Sequence, residues 1–188
     1  MWRSKKFFVS LWYKDDDMKM NIVYLHGLDS EVNCPKVQYL REQGYNVLNP
    51  KMDYRNKSCF YNTQHIIEEF NPDVIMGSSM GGWFAWLLGK YFEVPVVLLN
   101  PALHSRPFEP VVNKWGCELE SKVYLVTGKE DDVIDPKRTV KWLNEWDKLD
   151  WNPNNHTIGN HGHRTPVNVL KEIFLKEKVP FLRENLAF

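Results

Sequence analysis

Short apolar runs alternate with amphipathic stretches along most of this chain, and that alternation narrows the fold more than any other feature. Strand-length runs separated by helix-length stretches mark a mostly parallel sheet whose crossovers lay helices on both faces. Strands are expected at residues 21–25, 45–48, 73–76, 94–100, 122–127 and 156–158, with 122–127 alternating in and out. Helices are expected at 35–43, from a cap at Asn62 or Thr63 to Phe70, and at 83–91, 136–149 and 166–178. Pro35 suits a first helical turn and Gly44 a stop. Ile66, Ile67 and Phe70 fall on one helical side, as do Val140, Leu143 and Trp146, and then Val169, Leu170, Ile173 and Phe174. The 83–91 stretch is apolar nearly all round, so it should be buried.

A chain of 188 residues is expected to form one domain, here over residues 19–188. Residues 1–18 stand outside the alternation. Two readings of them stay open: a start at Met18 or Met20, or an extra antiparallel edge strand over 5–13. Their basic and apolar residues run into Lys14-Asp15-Asp16-Asp17 instead of small residues, which is not the end of a signal peptide.

Charge and cysteine content exclude several classes. Twenty-four basic and twenty-four acidic side chains cancel, so no basic excess attracts phosphate and no nucleic-acid partner is expected. No apolar run nears the roughly 18 residues of a membrane span. Cys34, Cys59 and Cys117 are odd in number and widely spaced, which suits free thiols in the cytoplasm. The oligomeric state is not legible.

Gly77-Ser78-Ser79-Met80-Gly81 matches G-x-S-x-G and lies between an expected buried strand and an expected buried helix. That context is what a nucleophile elbow requires. The tight turn lifts the central hydroxyl above the sheet edge, at a helix N-terminus that favours developing negative charge. Register selects Ser79, because glycine stands two residues to either side; Ser78 has Met76 and Met80 there. One oxyanion donor is then the N–H of Met80. The other is expected from the loop after the first strand, at Leu28, with His26 holding that loop by hydrogen bonds.

For such a nucleophile the acid and the base follow in that order, each after a strand. The acid is expected at Asp131, with Asp132 as the alternate and Asp135 as the cap of the helix opening at Pro136. The base is expected at His163, with His161 as the alternate and the more mobile of the two. A zinc site on His161 and His163, with His156 or Asp131, is a further reading that leaves the serine elbow unexplained.

Taken together, Tyr24-Leu25-His26-Gly27-Leu28-Asp29-Ser30, Pro35-Lys36, Gly77 to Gly82, Asn100-Pro101-Ala102, Asp131 to Asp135 and His163-Arg164 form an ordered set. In these motifs, over roughly residues 20–178, the chain resembles the small lidless bacterial esterases of the YqiA kind, within the α/β-hydrolase superfamily. The resemblance implies a triad of Ser79, Asp131 and His163, with Leu28 and Met80 at the oxyanion hole. It also implies hydrolysis of a small-molecule substrate, a short acyl ester or acyl thioester, and neither metal nor cofactor. Residues 1–18 and the second histidine, His161, depart from the pattern. Between Asn100 and Lys122, a Pro-rich aromatic stretch with Leu103, His104, Phe108 and Trp115 is long enough for a partial flap over a shallow site. The rival class is a catalytically inactive binding protein of the same fold.

Overall fold

The computed structural model describes residues 19–112, 122–147 and 151–175. Expectations for residues 1–18, Trp115, Cys117 and the far ends of the last two helices lie outside the described residues. Among the described residues eleven elements follow one another: β1 (Asn21–Leu25), α1 (Pro35–Glu42), β2 (Asn46–Leu48), α2 (Cys59–Phe70), β3 (Val74–Ser78), α3 (Met80–Phe92), β4 (Val96–Leu99), β5 (Val123–Gly128), α4 (Pro136–Trp146), β6 (Trp151–Gly159) and α5 (Val167–Leu175).

The strands form one sheet in the order β2-β1-β3-β4-β5-β6, and every pairing is parallel. All strand C-termini therefore meet one edge of the sheet. The order reverses between β1 and β3, which is where ligands bind in open α/β sheets. The elbow at Ser79 leaves β3 at that point.

Two apolar layers sandwich the sheet. One packs Phe60 and Ile67 of α2, Phe84 and Leu88 of α3 and Leu143 of α4 against Val23, Leu25, Ile75 and Leu98. The other packs Val37 and Leu40 of α1 and Leu170 and Ile173 of α5 against Ile22, Tyr24, Val97 and Val126. Burial on both faces explains why all six residues of β5 are buried, where the sequence predicts alternation.

Several expected boundaries and faces differ. Helix α2 begins at Cys59, because Cys59 and Phe60 are both buried and draw the first turn into the core. Asn62 and Thr63 consequently lie inside the helix, and Thr63 Oγ1 donates to Met52 Sδ at 3.3 Å. The buried face is Cys59, Phe60, Thr63 and Ile67, spaced i, i+1, i+4, i+8, which leaves Ile66 43% exposed. Trp146 at the end of α4 is likewise 70% exposed, while Leu143 is buried. Helix α3 starts at Met80, since the elbow is itself its N-terminus. The last strand runs from Trp151, through a polar stretch without strand signal, and its pairing with β5 shifts register between Val123 and Leu125.

Far along α3 from the elbow, Lys90 Nζ lies 2.5 Å from Asp147 Oδ1, and Trp86 Nε1 donates to Asp147 Oδ2 at 2.7 Å. Both charged side chains are buried. This ion pair ties the end of α3 to the residue after α4.

Candidate active site

Ser79 has φ +52° and ψ −119°, a strained conformation for a non-glycine residue. Its N–H donates to Leu99 O at 3.0 Å, and its own carbonyl accepts from Gly82 N and Ala102 N, both at 2.9 Å. Those bonds hold the turn from β3 into α3. The flanking glycines are steric necessities: a Cβ on Gly77 would lie 2.2 Å from Gly81 O, and one on Gly81 2.2 Å from Leu25 O. Ser78 ends β3, and the His163 ring bonds Ser79 Oγ.

His163 Nε2 lies 2.9 Å from Ser79 Oγ. On the other side of the ring, Nδ1 is 2.9 Å from Asp131 Oδ2 and 3.1 Å from Oδ1. The Asp131 side chain is fully buried and that of His163 is 21% exposed. Asp131 Oδ1 also accepts from Val133 N at 2.9 Å and Ile134 N at 2.8 Å, so the loop after β5 fixes the carboxylate before the histidine meets it. With Nδ1–H directed at a carboxylate, Nε2 is left as an acceptor for the serine proton.

The alternates stand elsewhere. Asp132 is exposed, and Asp135 caps α4, accepting from Lys137 N at 2.8 Å and Arg138 N at 3.4 Å. His161 contradicts its expected mobility. It is only 8% exposed; its carbonyl accepts from Glu130 N, and its ring packs so closely on Gly159 that a Cβ there would lie 2.5 Å from Cδ2. It is a packed loop residue away from Ser79 Oγ. Among the described residues no group of three or more His, Cys, Asp or Glu is arranged to hold a metal ion, so the zinc reading of His161 and His163 with His156 or Asp131 lacks its geometry.

The loop after β1 meets the elbow directly, since a Cβ on Gly27 would lie 3.3 Å from Ser79 Cβ. His26 secures this loop. Met52 N donates to His26 Nε2 at 3.0 Å, which leaves the proton on Nδ1 to bond Gly27 O at 2.8 Å. The Tyr54 hydroxyl, kept protonated by burial, donates to His26 O. Leu28 follows in this loop, and Met80 opens α3, where first-turn N–H groups have no intrahelical acceptor.

One positioning residue escaped the reading of residue types. Asn100, at φ +43° after β4, is buried. Its Nδ2 donates to Gly162 O at 3.1 Å and His163 O at 2.8 Å, while its Oδ1 accepts from Gly128 N at 2.7 Å. A single amide thereby ties the loop bearing His163 to the strand leading to Asp131. The available signal was an asparagine before proline at a strand end, a residue that tolerates positive φ and can bond both ways. His163 is held by this amide more than by the start of α5, four residues further on at Val167.

Similarity to known proteins agrees with the fold. A Xanthomonas campestris pv. campestris protein assigned to the alpha/beta hydrolase superfamily superposes with a TM-score of 0.59 at 15% identity, covering 90% of this chain and 100% of that one. The monoacylglycerol lipase of Paleococcus ferrophilus gives 0.59 at 14% identity, covering 86% and 94%. The fold is that of the α/β hydrolases, as the motifs predict. A UPF0227 protein of Shewanella sp. (strain MR-7) is 27% identical over 154 residues, covering 69% of this chain and 86% of its own length. The model of the family described as Uncharacterised protein family (UPF0227) matches residues 21–118, more than half of the chain, which is therefore a member of that family.

Proposed function

We propose that the protein is a serine hydrolase that cleaves short acyl esters or acyl thioesters through an acyl-enzyme on Ser79. The observation that carries this reading is the unbroken chain from Asp131 Oδ2 through His163 to Ser79 Oγ, with both contacts at 2.9 Å. Such distances are those of an activated nucleophile and its oriented base.

In this reading Ser79 Oγ attacks the acyl carbonyl carbon while His163 Nε2 takes its proton. Asp131 stabilises the imidazolium and holds its tautomer. The carbonyl oxygen becomes an oxyanion bonded by the N–H groups of Met80 and Leu28, each such donor being worth about 3 kcal/mol in related sites. His163 then gives its proton to the departing alkoxide or thiolate. Water, deprotonated by the same nitrogen, attacks the acyl-enzyme and releases the acid. These steps draw on side chains, backbone N–H groups and water. The free thiols Cys34 and Cys59 suit the reducing cytoplasm, and the balanced charge speaks against a nucleic-acid partner.

The test is turnover of p-nitrophenyl esters beside acyl-CoA thioesters, by wild type and by Ser79→Ala. Measurable turnover that falls by about four orders of magnitude or more in the variant supports the reading. Turnover that survives the substitution, or is absent from the wild type on both classes, contradicts it.

A further inference from the structure

Against α3 lies a partly enclosed cavity of about 200 Å³. Tyr54, Phe60, Phe84 and Phe108 give it an aromatic side, and Arg55, Asn56, Lys57 and Glu109 give it a polar one. The Tyr54 and Phe84 rings meet edge to face at 4.9 Å, and Phe60 and Phe84 lie 5.7 Å apart. The Tyr54 hydroxyl is bonded to His26 O, so the wall offers ring faces in place of a polar tip.

This cavity is built on the segments that carry the site. Phe84 lies four residues after Met80 on the same side of α3, about 6 Å along the helix axis. Tyr54 is anchored on the residue before Gly27, which itself touches Ser79. At the rim Arg55 bonds Asp29, next to Leu28, at 3.0 and 3.4 Å, and its guanidinium stands over the Phe108 ring at 5.6 Å. Leu28, Met80, Phe84 and Phe108 belong to one apolar cluster. A larger groove of about 450 Å³ borders Asp131, but no Phe, Tyr or Trp lines it. That lining suits a polar leaving group and offers an alkyl chain no aromatic surface.

Resting on the reading of Ser79 as the acylated residue, we infer that the aromatic side of this cavity is the acyl-chain subsite and that it limits the acid to an unbranched chain of about six carbons. A methylene takes up roughly the volume of a water molecule, about 30 Å³, so about six chain atoms fill the space. Each methylene seated there raises kcat/KM about fourfold, the gain expected from burying it. Phe108 sets the length limit, because it closes the cavity from a loop while Tyr54, Phe60 and Phe84 belong to the packed core.

The experiment is kcat/KM on p-nitrophenyl esters from acetate to dodecanoate, for wild type, Phe108→Ala and Phe108→Trp. Wild type should rise by about fourfold per carbon to roughly the hexanoate and fall beyond the octanoate. Phe108→Ala should raise the decanoate-to-butyrate ratio at least about tenfold, and Phe108→Trp should lower the hexanoate-to-acetate ratio by a similar factor. Ratios are independent of how much of each variant folds. An active wild type whose ratios stay within about twofold in both variants overturns the subsite and leaves Ser79 as the acylated residue. A wild type that hydrolyses none of the esters and takes up no fluorophosphonate overturns both.

Discussion

His163 Nε2 meets Ser79 Oγ at 2.9 Å across 84 positions of sequence, and each arrives there from a different strand of one parallel sheet. The contact depends on β3 and β6 ending at the same edge, with β4 and β5 between them supplying Asn100 and Asp131. His161, two residues earlier, is packed into the loop instead. Thus His163→Ala should lower kcat by three or more orders of magnitude, the usual loss for a triad member. His161→Gln should cost about tenfold or less, expressed through loop stability. Steady-state kinetics of the two variants, with melting curves beside them, make the check; comparable catalytic losses in both would contradict the geometry.

Asn100 acts at a distance through both of its neighbours. Asn100→Ala removes the donor to His163 O and the acceptor of Gly128 N, and it also places alanine at positive φ. We expect kcat to fall about 10- to 100-fold with KM little changed, since a misplacement of about 1 Å is enough for that loss. Asn100→Asp keeps the acceptor and loses the donor, so it should fall between. A variant whose kcat matches wild type would show that the loops are positioned by other bonds.

The architecture was legible where hydrophobic period and turn chemistry agree. Strand β1, helix α1 and the Ser79 elbow follow from apolar runs bounded by glycine and proline. The site was legible through the order of its parts, since Ser79, Asp131 and His163 each follow a strand. What escaped depends on tertiary contact. Ile66 and Ile67 are the same residue type side by side, and only docking of α2 decides that Ile67 is buried. Strand β6 opens with Trp-Asn-Pro-Asn-Asn, a turn-like sequence of which Trp151 alone has a partner on β5 before pairing resumes at His156. Asn100 offers only the weak signal of an asparagine before proline at a strand end, and the buried His161 carries no local signal for its packing.

Removing one partner of the buried pair at the far end of α3 should be costly. Asp147→Ala takes the carboxylate from Lys90 and the acceptor from Trp86 Nε1. A loss of about 3 kcal/mol or more is expected in denaturant unfolding, with the residual activity of folded protein unaltered because the pair lies far from Ser79. A change below about 0.5 kcal/mol would mean that solvent or other groups replace the contact.

Acid should weaken the fold partly through His156. Burial lowers its pKa from the ordinary value, while Nε2 stays bonded to Thr127 Oγ1 at 2.8 Å. The unfolded chain therefore binds its proton first, and stability is lost as pH falls from about 6.5 toward the lowered folded value. His156→Gln should flatten the Tm-against-pH curve in that window relative to wild type. Parallel curves for the two proteins would remove His156 from the account.

The central claim is that Ser79 is the activated nucleophile, and covalent labelling reads it without any assumption about substrate. A fluorophosphonate should add one adduct per chain to the native protein by intact mass, with peptide mapping placing it on Ser79. Ser78→Ala should label as wild type does, because the His163 ring bonds the Ser79 hydroxyl. Ser79→Ala should remain unlabelled. An unlabelled native protein, or an adduct that persists in Ser79→Ala, would contradict the account.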